Sequence, residues 1–362
     1  MKYLSEFRDI KAIQKYIERI KIILNGQKIS LMEVCGTHTM AISRYGIRSI
    51  VPENLRLISG PGCPVCVTPN YYIDRAVALA KEEDIIVATF GDMLRVPGSL
   101  SSLELVKIKG GDVRIVYSTM DALKIAENNP SKNVVFLGIG FETTAPTIAA
   151  SIKEAKNKNI KNYFVLCAHK VMPPAMKALV ANEKIGIDGF ICPGHVSTII
   201  GSNPYKFIPE SYNKACVIAG FEPVDIVISI EMLIKQVIKG KPEVEIQYKR
   251  VVKPDGNTFA LKTMYEVFEP CDSEWRGIGV IEGSGLKIKK DYSDFDAEEN
   301  FEVEVETVRE NKECICGLVL QGLKYPYECK LFRKLCTPEN PVGACMVSSE
   351  GTCAAYFKYS DM

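Results

Sequence analysis

Histidine and tryptophan are scarce in this chain, with three His and one Trp among 362 residues. Net charge is nearly absent as well. Lys and Arg number 45 against 44 Asp and Glu, leaving +1, so the sequence lacks the basic field that holds nucleic acid or an anionic membrane surface. Neither is expected as a partner. No apolar window approaches the length needed to cross a bilayer, and Met1 to Arg8 is charged from the outset with no apolar leader segment. The chain is therefore expected in the cytoplasm. Phosphate-loop, complete dinucleotide-fingerprint and H-E-x-x-H motifs are all missing, which removes support from nucleotide-driven and zinc-protease chemistry.

Cysteine is abundant. Thirteen thiols, an odd number, in a chain with no export signal point to metal or redox work rather than to a secreted disulfide framework. Six of them, Cys314, Cys316, Cys329, Cys336, Cys345 and Cys353, fall within forty residues. A zinc ribbon repeats a short C-x2-4-C knuckle, whereas here only Cys314-Ile-Cys316 is short and the other gaps are long and irregular. Long gaps suit an iron–sulfur cubane, whose corners lie apart, with a zinc site or plain structural thiols as the alternatives.

The hydrophobic pattern gives the fold class. Ile10, Ile13, Ile17, Ile20 and Ile23 recur at helical spacing within residues 1–29. From Lys28 onward short β-branched runs alternate with helical stretches, the pattern of βαβ units. Strands are expected near 30–34, 55–59, 84–90, 112–117, 133–139, 163–168, 188–192 and 215–219, with helices beginning near Thr68, Thr144, Pro173, Val196 and Pro223. The expected architecture is two parallel-sheet α/β domains, 28–130 and 131–241, facing each other across a cleft. A cysteine-rich iron–sulfur domain then comprises 242–362, with the helix of residues 1–27 packed on it.

Ligands of open parallel sheets sit at the carboxyl ends of the strands. The unusual residues of this sequence fall there: Cys35-Gly-Thr-His38, Gly60-Pro-Gly-Cys63-Pro-Val-Cys66, Gly91-Asp92, Gly140-Phe-Glu142-Thr-Thr144, His169 and Pro193-Gly-His195. Each of the three histidines closely follows a cysteine, as Cys35/His38, Cys167/His169 and Cys192/His195, a pairing able to hold iron or to activate sulfur. Cys63-Pro-Val-Cys66 is a C-x-x-C ahead of a helix, where the dipole favours thiolate, and reads as a redox dithiol or transient metal clip. Cys167, Cys216 and Cys271 lie in or beside apolar runs and are expected as core thiols.

Taken together, Cys35-Gly-Thr-His-Thr39, Gly60 to Pro69 (GPGCPVCVTP), Thr89 to Gly98 (TFGDMLRVPG), Gly140 to Thr144 (GFETT), Pro193 to Ser197 (PGHVS) and Gly343 to Gly351 (GACMVSSEG) resemble the HypD family of [NiFe]-hydrogenase maturation factors across nearly the whole chain. The resemblance implies a scaffold on which the Fe(CN)2CO group of the hydrogenase is assembled with HypC and with HypE, which delivers cyanide. It implies that Cys35 binds the iron, that His38 is its close neighbour, and that Cys63 and Cys66 form a nearby redox dithiol. It also implies a [4Fe-4S] cluster on the family pattern C-x14-C-x6-C-x16-C, here Cys314, Cys329, Cys336 and Cys353, leaving Cys316 and Cys345 as a second dithiol. A competing reading of the same residues is a cluster-linked thiol–disulfide oxidoreductase acting on a partner protein, and a third is a zinc-stabilised binding protein.

Overall fold

The computed structural model describes residues 6–305 and 311–360. Its strands are β1 (Ile29–Glu33), β2 (Leu55–Ser59), β3 (Ile85–Thr89), β4 (Val113–Ile115), β5 (Asn133–Gly138), β6 (Tyr163–Cys167), β7 (Gly189–Cys192), β8 (Ala215–Ile218), β9 (Val244–Ile246), β10 (Phe268–Trp275) and β11 (Gly279–Ile288). The first eight lie where the hydrophobic runs put them. They form a five-stranded sheet of order β2-β1-β7-β8-β9 and a four-stranded sheet of order β4-β3-β5-β6, each with every pair parallel. Strands such as Ile85–Thr89 are buried along their whole length, as parallel strands covered on both faces must be.

This pairing corrects the division at residue 130. From 28–130, β1 and β2 share a sheet with β7 and β8 of 131–241 through the β1–β7 pair, while β3 and β4 share the other with β5 and β6 through the β3–β5 pair, so the sheets interleave along the chain. Pattern fixes which residues are strands, but all parallel strands look alike as apolar runs, so it does not fix their neighbours. The N-terminal helix is corrected too. Within the described residues it spans Ile10–Leu24, residues 1–5 of the expected stretch lying outside them, and it packs on the helix Pro223–Lys239 instead of on the cysteine-rich tail. Ile17, Ile20 and Leu24 share a core with Ile226 and Ile230, and Arg19 pairs with the buried Glu231 at 2.5 Å.

After the sheets come the antiparallel hairpin β10-β11 and then the tail. The hairpin docks beside β6, where Val171 N–H donates to Ser284 O at 2.9 Å and Leu286 N–H to His169 O at 3.2 Å. The tail ends in the helix Thr352–Tyr359, held to β1 through Arg48: its guanidinium pairs with Glu33 and lies 5.0 Å from the Tyr356 ring. Among the described residues no helix is long and apolar enough to cross a membrane.

Candidate functional site

Two successive βα turns build the first wall of the site. Cys35 ends the turn after β1 and caps the helix Gly36–Arg44, with extended backbone at φ −145°. The turn after β2 lies directly against it: Gly36 N–H donates to Gly62 O at 2.9 Å, and a Cβ on Gly62 would stand 2.4 Å from the Cys35 Cα. Only glycine permits that approach, so Gly62 fixes the loop bearing Cys63 and Cys66 beside Cys35. The loops after β3, β5 and β7 complete a cavity of about 330 Å3, lined by Cys35, Thr37, Asp92, Thr143 and His195 among apolar neighbours, with Glu350 of the tail at its edge.

Cys35 is buried, and burial pushes its thiol up to about 12, with the Glu350 charge adding to the rise. The N–H groups of His38 and Thr37 at the helix start act against it, favouring the thiolate. Thr37 Oγ1 donates to Glu350 Oε1 at 2.5 Å, and Ser348 Oγ donates to Asp92 at 3.2 Å, so the tail is tied to the cavity by two hydroxyls.

His38 does not line this cavity. Its Nε2 lies 3.0 Å from Gly220 O and its ring stacks on Phe221 at 4.7 Å, while burial pulls it down to about 4. The opposite contact of Phe221 is His195, at 4.0 Å, and His195 is the histidine that borders the cavity. His169 is elsewhere again, with Nδ1 3.1 Å from the Cys167 sulfur and the ring buried next to Phe268. Cys216 is a core thiol as expected, but Cys167 and Cys271 are only half-buried.

The C-x-x-C loop differs from expectation in its electrostatics. Cys63 caps the short helix Pro64–Val67, and Cys66 N–H donates to Cys63 Sγ at 3.3 Å. Cys66 itself is fully buried, and desolvation followed by contact with the Cys345 and Cys63 thiols drives its pKa well up, not down. Burial exceeds what one helical turn can supply.

That contact leads into the tail. The thiols of Cys66, Cys345 and Cys316 lie near enough to shift one another in turn, as do those of Cys314 and Cys316 and of Cys353 and Cys345. All six tail cysteines line one cavity of about 10 Å3, walled by Val319, Leu331, Phe332 and Met346. A Cβ on Gly343 would lie 2.8 Å from Cys314 Sγ, so glycine is needed there too. Among the described residues no three His, Cys, Asp or Glu side chains are placed so as to hold a single metal ion. The type and number of the tail thiols and the Val342 N–H donated to Cys336 Sγ at 3.4 Å fit an iron–sulfur cluster in a dry setting.

Sequence reasoning missed Glu350 and Phe221. Glu350 stands inside the quoted Gly343 to Gly351 stretch, which was its only signal. Phe221 had none, since its role depends on two histidines far apart in the chain.

The family model HypD, described as the hydrogenase formation hypA family, matches residues 11–360. The chain is 48% identical over 369 residues to the hydrogenase maturation factor HypD of Cupriavidus necator, covering 99% of this chain and 97% of that one. It is 48% identical over 368 residues to HypD2 of Bradyrhizobium diazoefficiens, covering 99% and 97%. Against the Escherichia coli hydrogenase maturation factor HypD the identity is 44% over 368 residues, covering 99% and 98%. With the motif cysteines gathered as described and likeness extending over the full alignment, the chain belongs to the HypD family.

Proposed function

We propose that this chain is a hydrogenase maturation factor that assembles the Fe(CN)2CO unit of [NiFe]-hydrogenase on Cys35, in complex with HypC and HypE. The observation that carries this reading is the position of Cys35: a buried thiol on the wall of a 330 Å3 cavity, next to the loop of Cys63 and Cys66, where a series of neighbouring thiols begins. Iron is the cargo. It binds by displacing the Cys35 proton, which a metal cation does readily even from a thiol raised to about 12. The Thr37 and His38 N–H groups hold the resulting thiolate, and a cysteine of HypC supplies a second sulfur. Thr143 and His195 border the cavity and offer hydrogen bonds to cyanide nitrogen.

Cys314, Cys329, Cys336 and Cys353 would hold the [4Fe-4S] cluster, which supplies electrons when bound. The remaining thiols carry electron pairs by exchange. Cys345 attacks Cys66 of an oxidised Cys63–Cys66 pair and releases Cys63 as thiolate; Cys316 then attacks Cys345, leaving Cys63 and Cys66 reduced and Cys316–Cys345 oxidised. Two electrons move toward the Cys35 cavity and no atom is lost.

Infrared spectroscopy of the complex purified with HypC tests the assignment. Cys35→Ala is expected to abolish the cyanide and carbon monoxide bands, and their persistence would overturn the proposal. The oxidoreductase alternative requires instead that the chain reduce a partner's disulfide without HypC, and zinc in place of iron and sulfide would exclude both.

A further inference from the structure

Three neighbouring strands of the five-stranded sheet, β1, β7 and β8, each deliver one ring to the same place. His38 lies in the helix after β1, His195 at the start of the helix Gly194–Ile200 after β7, and Phe221 in the turn between β8 and the helix Pro223–Lys239. Both imidazoles stack on Phe221, at 4.7 Å for His38 and 4.0 Å for His195, each plane tilted by 28°. His38 is buried, whereas His195 is exposed on the border of the 330 Å3 cavity. Phe221 therefore joins a ring fixed in the core to a ring beside the cargo space.

The exposed imidazole needs such a support. Its ring makes no hydrogen bond among the described residues, so rotation about its side-chain bonds would spread it over several positions if the stack did not hold it. Phe221 is itself held. A Cβ on Gly194 would lie 2.9 Å from Phe221 Cζ and 2.5 Å from Ala219 O, so the glycine before His195 lets the ring lie against that helix start. Tyr248 meets Phe221 edge-on at 5.8 Å, and Arg250 covers the Tyr248 ring at 4.5 Å while donating to Asp225 Oδ1 at 2.8 Å. A carbonyl only accepts, so His38 Nε2 donates to Gly220 O at 3.0 Å, which fixes the His38 ring beside the same turn.

We propose that Phe221, backed by the His38 ring, is the positioning residue that holds His195 at the cavity, so that its imidazole meets the cyanide nitrogen of the iron cargo in one orientation. The link to the cargo rests on the assembly reading made above, while the hold on His195 concerns the chain alone. The His38 side chain then serves the cavity through Phe221, not as a ligand or a proton carrier. Ordering the donor before the cargo arrives removes a cost that binding would otherwise carry.

The chain has three histidines, and His38 and His169 are buried, so diethyl pyrocarbonate reports on His195. The full chain, purified anaerobically, is treated at pH 8, where an ordinary imidazole is neutral and the rate reads access and not charge. Mass spectrometry of the peptides follows each site. Phe221→Leu is expected to raise the His195 rate roughly two- to tenfold, the range that loss of one ring-stacking contact allows. His38→Gln, which keeps an N–H for Gly220 O but no ring, and Tyr248→Leu, which removes the edge contact, should raise it in the same direction by less. An unchanged rate in these variants overturns the proposal, as does modification of His38 and His169 in step with His195, which would mean general loosening. In the complex with HypC, Phe221→Leu and His195→Gln are expected to shift the cyanide stretching bands in the same direction, a change that lost stability alone does not produce; bands at the parent's frequencies in Phe221→Leu would overturn the link to the cargo. Bands that survive Cys35→Ala would overturn the assembly reading without touching the reagent rates.

Discussion

The thiol of Cys66, in a loop at the edge of one sheet, meets the thiol of Cys345 in the tail, 279 positions later in the chain. Cys66 Sγ also lies 3.9 Å from the carbonyl of Ala344, so the approach is set by backbone as well as by side chains. In the double variant Cys63→Ser/Cys316→Ser each of these thiols loses its other exchange partner. Mild oxidation is then expected to join Cys66 to Cys345, seen as one linked peptide pair after proteolysis. If the two remain alkylatable under conditions that oxidise Cys63–Cys66 in the parent chain, they do not meet and the electron route fails.

Glu350 and Thr37 act on Cys35 with opposite sign. The Glu350 charge raises the thiol pKa and the Thr37 hydroxyl lowers it. Glu350→Gln should therefore increase the rate at which iodoacetamide modifies Cys35 at pH 8, by about two- to fivefold, since the thiolate is the reactive form. Thr37→Val should decrease it. A change in the same direction for both would mean that access to the cavity, not ionisation, controls the rate.

Much of this arrangement was legible in the sequence, but in unequal parts. Eight strands could be placed within about two residues because each is an apolar run bounded by turn residues. Their pairing was not legible, because β1 chooses β7 over β3 through contacts between whole layers and not through any local signal. Cys35 and Cys63/Cys66 could be located by their place after β1 and β2, and Gly62 accounts for why they adjoin. The direction of the His38 ring could not be read, since it is decided by the carbonyl of Gly220 and the face of Phe221, residues on the far side of two crossovers. The downward shift expected for the C-x-x-C thiols failed for Cys66 because sequence shows the helix but not the depth of burial.

Glu142 is a buried carboxyl whose pKa is pushed up to about 7 by desolvation, with Oε1 accepting from Met172 N–H at 2.9 Å and Oε2 lacking a hydrogen-bond partner among the described residues. Between its ordinary value of 4.5 and about 7 the folded chain binds a proton that the unfolded chain has lost. Its contribution to stability is therefore full below pH 4.5 and falls away as pH rises through about 7. Glu142→Gln removes that loss. Its melting temperature should exceed the parent's at pH 8 by about 2–5 °C and match it near pH 4.5; an equal gain at both values would rule out ionisation as the cause.

The division of the six tail cysteines into four cluster ligands and two exchange thiols predicts opposite outcomes for two neighbours. Cys316 lies near Cys345 and Cys345 near Cys66, which places Cys316 on the proposed exchange route. Cys329 Sγ lies 3.9 Å from the carbonyl of Glu313 and borders the tail cavity. A cubane that loses one of its four thiolates loses much of its binding, whereas loss of an exchange thiol leaves the ligands intact. Cys329→Ala is thus expected to retain less than about half the iron and acid-labile sulfide of the parent chain, and Cys316→Ala to retain nearly all of it while losing the Cys316–Cys345 exchange. The reverse result would make Cys316 a ligand and Cys329 the free thiol, and the route from the tail to Cys66 would then have to start at the cluster itself.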